Sequence, residues 1–386
     1  MFLKSIQMIY SCFASTNRGL EELLALEATK FSVKNIEVLK SGIKFRANLE
    51  QIMQFNLHSR VASRIMIEVG HSYYSNEADI YDMAYEISWD SWFAPGDTIK
   101  VDTNAISSPL KSLEFVNLKV KDAICDKFVQ VCSCRPDVNK YTPDIRVYNF
   151  LTENTITIYL DTSGESLFKR GYRHNKLEAP LKENLAAGLV LLSNWQFEET
   201  LFDPMCGSGT IAIEAVCMGL NIAPGLKRHF AFEKFKNHDK SKWQNLKTAA
   251  MEQINYTNKL DIYANDIDKN AINALEDNCR NLGVLHQINY RKANFLECAA
   301  PNSSGILITN PPYGIRLDEL ESMGDSYPQY ASHLKKYYSN WNCHFLTADL
   351  RMPKLMRLKP NRKIPLYNGA LECRLFEFRM VAGSNR

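Results

Sequence analysis

At 386 residues the chain is too long for one ordinary hydrophobic core and long enough for two or three, at roughly 100–200 residues per domain. Its apolar fraction of 45% and charged fraction of 23% are those of an average soluble globular protein, and it has no run of about 18 or more apolar residues that could span a bilayer. The net charge of +3 is small, so the placement of charge says more about partners than its total does.

The first sixteen residues hold one lysine and no sustained apolar stretch before a small-residue cleavage site, which disfavours secretion and points to the cytoplasm. Thr16 or Asn17 can cap a helix that sets Leu20, Leu23, Leu24 and Ala28 on one face. Ile36 to Leu39, the Ser41-Gly42 turn and Ile43 to Ala47 read as a hairpin. A helix over Leu49 to Leu57 and a strand over Ile65 to Val69 complete a small α+β unit. A second such unit follows, with helices over Asp79 to Ile87 and Leu113 to Phe128. Its strands are expected at Thr98 to Asn104, Ile145 to Phe150 and Thr155 to Leu160. The basic, glycine-punctuated stretch from Ser163 to Arg173 reads as the connection onward, with Lys169, Arg170 and Arg173 as candidate RNA contacts.

After Leu181 the rhythm becomes helix, strand, helix, strand. Strands are expected to end at Asp203 and to cover Ile262 to Ala264, Ile288 to Lys292, Gly305 to Thr309 and Cys343 to Ala348. Helices are expected over Lys182 to Ser193, after Gly209, over Lys269 to Leu282 and over Tyr327 to Tyr338, with a closing hairpin-like Leu371 to Met380. Such alternation predicts a parallel sheet with helices on both faces. The ten cysteines and eight histidines are dispersed and lack metal-site spacing, so reduced thiols and no metal are expected.

In a sheet of this kind ligands bind beyond the carboxyl ends of the strands. The first strand leads into Asp203-Pro204-Met205-Cys206-Gly207-Ser208-Gly209-Thr210, where Gly207 and Gly209 let backbone approach a ligand and Thr210 opens a helix. The spacing is neither that of a dinucleotide fold nor that of a phosphate loop, so a cofactor without phosphates fits. Asp266 or Asp268, after the second strand, can accept from the ribose hydroxyls of an adenosyl group; Asp268 can equally cap the next helix. Asn294, after the third, can offer its amide to an adenine edge.

The fourth strand is followed by Asn310-Pro311-Pro312-Tyr313. An amino group conjugated to a base ring or a carbonyl is a poor nucleophile. Two acceptors facing its N–H groups, the Asn310 side chain and the Pro311 carbonyl, would turn its lone pair toward a sulfonium methyl, and the prolines hold that pair rigid. Tyr313 offers a face for stacking a flipped-out base. The residues therefore predict methyl transfer from S-adenosylmethionine to a planar amino nitrogen. They leave DNA adenine-N6, protein glutamine-N5 and RNA targets open.

Two basic segments suit a polyanion. Lys227 to Lys247, including Arg228, interleaves cations with Phe230, Phe232, Phe235 and Trp243; from Lys335 onward, cations such as Lys354 and Arg357 face only Asp349, Glu372 and Glu377. The alternative is a solvated face over core aromatics.

Four runs in order resemble the THUMP-containing class I RNA methyltransferases that make N2-methylguanosine, among them the bacterial large-subunit rRNA enzyme and tRNA enzymes of archaea and eukaryotes. They are Leu160 to Arg173, Ala179 to Ala186, the glycine turn with the Asn310 tetrapeptide, and Leu366 to Gly369 with Leu371 to Arg374. The resemblance implies an α/β chain in three parts: a ferredoxin-like unit over residues 1–70, a THUMP domain over 71–165 and a Rossmann-like methyltransferase domain over 166–386. It further implies that the first two parts hold RNA and that Asn184, Pro204 and Cys206 join the cofactor site. The family often has an acid where this chain has Asn294. Its bacterial fusion enzymes also carry a second methyltransferase domain. Guanine-N2 methylation of 23S rRNA is the leading expectation, with tRNA, adenine-N6 of DNA, or a non-catalytic RNA assembly factor as alternatives, and a monomer or weak dimer as the oligomeric state.

Overall fold

The computed structural model describes residues 8–173, 181–312 and 317–382. The chain forms two compact units. One contains the chain up to Ser15, Ala25–Leu167 and Arg228–Thr248; the other contains Thr16–Leu24, Phe168–Lys227 and Ala249–Arg386.

The first unit is built on a seven-stranded sheet from β1 (Tyr10–Thr16), β2 (Lys34–Leu39), β3 (Gly42–Ala47), β4 (Ala62–Tyr73), β5 (Ile99–Ala105), β6 (Ile145–Leu151) and β7 (Thr155–Asp161), in the order β2-β3-β1-β4-β7-β6-β5. Its helices are α2 (Leu49–His58), α3 (Glu77–Glu86) and α4 (Leu113–Cys132), while α1 (Glu21–Thr29) runs across the division between the units. Asn48 and Gln51 close a capping box at the start of α2, and Asn76 and Asp79 do the same for α3, which fixes where both helices begin. Ile52 and Phe55 of α2, Ile80 of α3 and Val120 and Ile124 of α4 are fully buried. The two small α+β units expected from sequence thus share one continuous sheet. Residue 70, the expected boundary, falls inside β4, whose pairing with β7 runs from Met66 to Tyr73.

At that join Arg64 forms an ion pair with the buried Asp161, donates to the Gly164 carbonyl at 2.6 Å and lies 5.0 Å from the Tyr148 ring centroid. Asp161 also accepts from the amides of Ser163 (2.9 Å) and Gly164 (3.1 Å). Burial pushes its carboxyl up, and the Arg64 charge opposes that shift.

The basic stretch after Lys227 folds into the first unit with its aromatic rings inward. Phe230, Phe232, Phe235 and Trp243 are all buried, and Trp243 stands edge-on to Phe230 and Phe232 with centroids 5.5 and 5.0 Å apart. These rings are core, so of the two readings of this segment the one with core aromatics holds.

The second unit carries a sheet ordered β10-β9-β8-β11-β12-β14-β13, with β8 (Leu201–Asp203), β9 (Ile262–Asp266), β10 (Ile288–Lys292), β11 (Gly305–Thr309), β12 (Trp341–Thr347), β13 (Arg362–Asn368) and β14 (Leu371–Arg379). The first five are parallel; β14 is antiparallel to β12 and β13 to β14, so the closing segment is a hairpin on an otherwise parallel sheet. Its helices are α5 (Glu183–Leu192), α6 (Thr210–Gly219), α8 (Lys269–Leu282), α9 (Leu317–Tyr337) and α10 (Met352–Met356), with α7 (Lys240–Glu252) crossing the division. α5 and α6 are buried along nearly their whole length, as their continuous apolar sequence requires. Strand order reverses between β8 and β11, the point at which such sheets bind ligands.

Residues 16–24 belong to this second unit. Asn17 donates to the Tyr367 carbonyl at 3.0 Å and accepts from Asn184 at 3.1 Å, so its side chain does not cap α1. Gly19 has φ +94°, and a Cβ there would stand 2.2 Å from the Pro365 carbonyl oxygen, which only glycine tolerates.

Truncating Arg64 to alanine leaves Asp161 as a buried carboxylate that keeps two amide donors but loses its paired cation. The expected loss is about 3–5 kcal/mol, read as a lowered urea midpoint; a change below about 1 kcal/mol would show that the pair does not hold the β4–β7 join.

Candidate active site

A cleft of about 450 Å³ opens at the carboxyl ends of β8, β9, β10 and β11, lined by residues from every turn singled out in the sequence. After β8, Pro204, Cys206, Gly207 and Thr210 line it. The two glycines of this turn differ in role. Gly207, at φ +53°, would place a Cβ in open space. A Cβ on Gly209, at φ +81°, would stand 2.7 Å from Leu275 of α8, so that glycine serves close packing rather than access to a ligand.

The turn is tied to the next strand. The Gly207 amide donates to Asp266 Oδ2 at 2.8 Å, and the Cys206 amide donates to the Asn265 carbonyl at 2.9 Å. Asp266 also accepts the Asp268 amide at 2.9 Å. A carboxylate has about four lone-pair sites, so Asp266, which lines the cleft, can take further donors. Asp268 is exposed, lies outside the cleft lining and caps α8 by accepting from Asn270 at 2.9 Å. Asn294 lines the cleft and caps its own turn through Leu296 at 3.1 Å.

Asp203 is buried and accepts from the Thr309 hydroxyl at 2.8 Å and the Met205 amide at 3.3 Å, bridging β8 and β11 across the reversal point. Burial pushes its carboxyl up to about 7.

Asn310 sits one residue past β11 on the cleft wall, with Pro312 exposed beside it and Pro311 buried. Its Oδ1 is buried and has no hydrogen-bond partner among the described residues. Tyr313 lies outside the described residues.

Several cleft residues had no sequence assignment. Ile267 is 64% exposed between two aspartates, an apolar side chain held open to solvent that the sequence could have flagged. Phe295 and Tyr330 meet edge-on at 5.4 Å, and the Tyr330 hydroxyl points at Met205 Sδ, 3.9 Å away. Tyr330 comes from α9, and nothing in its local sequence marks it.

Four other expected site residues need correction. Asn184 does not line the cleft; it is fully buried and donates to Asn17. Arg170 and Arg173, expected on RNA, are turned inward. Arg170 is 4% exposed and pairs with the buried Glu214 of α6 at 3.5 Å. Arg173 donates to the Leu181 carbonyl and the Thr210 hydroxyl and lies beside Glu183. Arg228 is spent on backbone, donating to the carbonyls of Ser163 (3.1 Å), Glu165 and Ser166 (2.8 Å). Lys169, Lys227, Lys354 and Arg357 are exposed, although the Lys227 ammonium donates to the Asn281 carbonyl. Farther along, Arg351, Arg362, Arg374 and Arg379 are each ion-paired with Asp349, Glu372 or Glu377.

Residues 170–377 match a family described as an RMKL-like methyltransferase domain, residues 74–161 match the THUMP domain, and residues 11–66 match the RlmL ferredoxin-like domain. The chain is 36% identical over 379 residues to the ribosomal RNA large subunit methyltransferase K/L of Shewanella sp. (strain W3-18-1), covering 97% of this chain and 54% of the relative. It thus spans about half the length of the curated relatives it matches. A methyltransferase solved in complex with SAH superposes with a TM-score of 0.89 at 30% identity, covering 97% of this chain and 99% of that one. A structure from Listeria monocytogenes str. 4b F2365, described as a predicted N6-adenine-specific DNA methylase, superposes at 0.88 with 27% identity, covering 97% of each chain.

The raised Asp203 carboxyl makes the folded state bind a proton that the unfolded chain, with an ordinary value near about 4, releases. Its contribution to stability is therefore full below about pH 4 and fades as pH rises toward about 7. Asp203→Asn stays neutral and removes this slope. Unfolding midpoints of the two proteins should match near pH 4 and diverge in favour of the variant by pH 7; parallel curves would contradict the buried-acid assignment.

Proposed function

We propose, for a chain that belongs to the RMKL-like methyltransferase family, that it moves a methyl group from S-adenosylmethionine to the exocyclic N2 amine of a guanine in RNA. The substrate on this reading is 23S ribosomal RNA, met in the cytoplasm. The observation that carries it is the buried, unpartnered Asn310 Oδ1 at the carboxyl end of β11, an acceptor placed where the cleft meets the sheet's reversal point. An acceptor left unpaired in a buried site costs about 1–3 kcal/mol, and an incoming N–H removes that cost.

The cleft's volume lies within the range of small-molecule sites, and its lining suits an adenosyl cofactor. Asp266 has lone pairs for ribose hydroxyls, and Ile267 and Phe295 provide apolar faces for a purine. The open space at Gly207 admits a ligand against backbone. Bound S-adenosylmethionine would supply the methyl group and the positive sulfonium that makes it transferable.

The chain's own part is positioning. Asn310 Oδ1 accepts one N–H of the target amine, the Pro311 carbonyl accepts the other, and the lone pair is then directed into the cleft. No strong base is needed, because the nitrogen becomes acidic only as the new bond forms. A base within an RNA helix must be flipped out to reach Asn310, and Tyr313 is the proposed stacking partner.

RNA is favoured over DNA by the THUMP match and by the rRNA methyltransferases among the curated relatives, which also favour ribosomal RNA. Lys169, Lys227, Lys354 and Arg357 are the exposed cations proposed to meet phosphates, and affinity should fall with rising salt.

Incubation with methyl-labelled cofactor and total RNA, DNA or protein should label RNA, with N2-methylguanosine as the product on nucleoside mass spectrometry. Label entering only DNA or protein overturns the reading. Asn310→Ala should lower kcat by about 100-fold or more while calorimetric cofactor affinity stays unchanged. Asp266→Ala should weaken cofactor binding itself.

A further inference from the structure

The run Arg170-Gly171-Tyr172-Arg173 looks from sequence like a basic linker, yet its side chains are locked into the second unit behind the cofactor cleft. The Tyr172 hydroxyl and the Arg170 guanidinium converge on Glu214 of α6, at 3.4 and 3.5 Å, and the Tyr172 carbonyl accepts from Asn281 at 2.9 Å. Arg173 goes further, because its three contacts join the first turn of α6 to the start of α5. Its Nη2 donates to the Thr210 hydroxyl at 2.6 Å, in the first turn of α6, and to the Leu181 carbonyl at 3.2 Å, just before α5. Its Nε stands 3.4 Å from Glu183 Oε1, in the first turn of α5.

Thr210 and Leu181 are themselves walls of the cleft. Glu183 is buried, burial pushes its carboxyl up, and the Arg173 charge is the main influence opposing that shift. A planar guanidinium can serve a hydroxyl, a carbonyl and a carboxylate from one rigid fork; an ammonium is a point charge and cannot hold all three in the same geometry.

We propose that Arg173 is a positioning residue for the cofactor, fixing Leu181 and Thr210 on the cleft wall, and that it is not an RNA contact. The proposal rests on the cleft being the S-adenosylmethionine site. Removing the fork frees two walls and leaves Glu183 without its main counter-charge. One charge-assisted hydrogen bond is worth about 1.5–3 kcal/mol, so a tenfold or larger change in affinity is the expected scale.

The test measures S-adenosylmethionine binding by calorimetry and total-RNA binding by salt titration for the full chain and for Arg173→Ala, Arg173→Lys and Thr210→Val. Arg173→Ala and Arg173→Lys should each raise the cofactor Kd by about tenfold or more. Thr210→Val, which removes one acceptor and keeps the ion pair, should raise it less. RNA affinity and its salt slope should match the parent, and methyl transfer should show a raised cofactor KM with a kcat that recovers at saturation. An RNA contact would behave differently, with lysine preserving RNA affinity, alanine reducing it and the salt slope falling by about one phosphate; that outcome overturns the proposal, as does an unchanged cofactor Kd. If Arg173→Ala fails to fold, Arg173→Lys and Thr210→Val still decide. A parent protein that binds no S-adenosylmethionine would instead sink the cofactor reading itself.

Discussion

The bond from the Gly207 amide to the Asp266 carboxylate is the constraint on which the site depends. It joins the turn after β8 to the end of β9, and the Cys206 amide on the Asn265 carbonyl doubles it. With those bonds made, Gly207 is held in the left-handed region facing open space, Gly209 is pressed onto Leu275, and the first turn of α6 is set where Thr210 can reach Arg173. Across the reversal point, Asp203 and Thr309 tie β8 to β11 and so fix the strand that delivers Asn310. The cleft wall and Asn310 are thus two ends of one hydrogen-bonded frame laid over the carboxyl edge of a parallel sheet.

Much of this was legible in sequence, because most of the parallel strands are short apolar runs that end at the turns lining the cleft. Ile288 to Lys292 and Gly305 to Thr309 coincide with β10 and β11, and the turns after β8, β9, β10 and β11 all line one cleft. What was not legible is where a charged side chain finds its partner. Arg170 and Arg173 sit in a basic, glycine-bearing stretch, while Glu214, the partner of Arg170, lies 44 residues onward in α6 and Glu183, beside Arg173, opens α5; local composition carries no trace of that pairing. Arg228 was obscured in the same way, since backbone carbonyls have no sequence signature. The aromatic rings from Phe230 to Trp243 have helix-like and irregular spacing that fits a base-stacking platform and a core equally well, and burial chose the core. Tyr330 reaches the cleft only because α9 packs on it, a tertiary fact that no motif encodes.

The division of the chain departs from its linear order in two places. Residues 16–24 lie within a stretch matched as ferredoxin-like but belong to the unit with the parallel sheet, and Arg228–Thr248 lie within the stretch matched as a methyltransferase domain but belong to the other unit. Sequence families are read along the chain, whereas compactness follows contacts, and here the two disagree at segments of about two helical turns and more.

The seating of Asn17 and Gly19 against Pro365 and Tyr367 has a consequence for biosynthesis. Asn17 is synthesised 350 residues ahead of Tyr367, so this segment must wait for β13 before its side chains find their partners. At about 5–20 residues per second the interval is on the order of tens of seconds. During it Leu20, which ends fully buried, is without the Gly188 notch of α5 for at least part of the time. Contacts so distant in sequence are slow to close and leave apolar surface exposed on the nascent chain. The parallel-sheet unit is therefore completed only once β13 has been made.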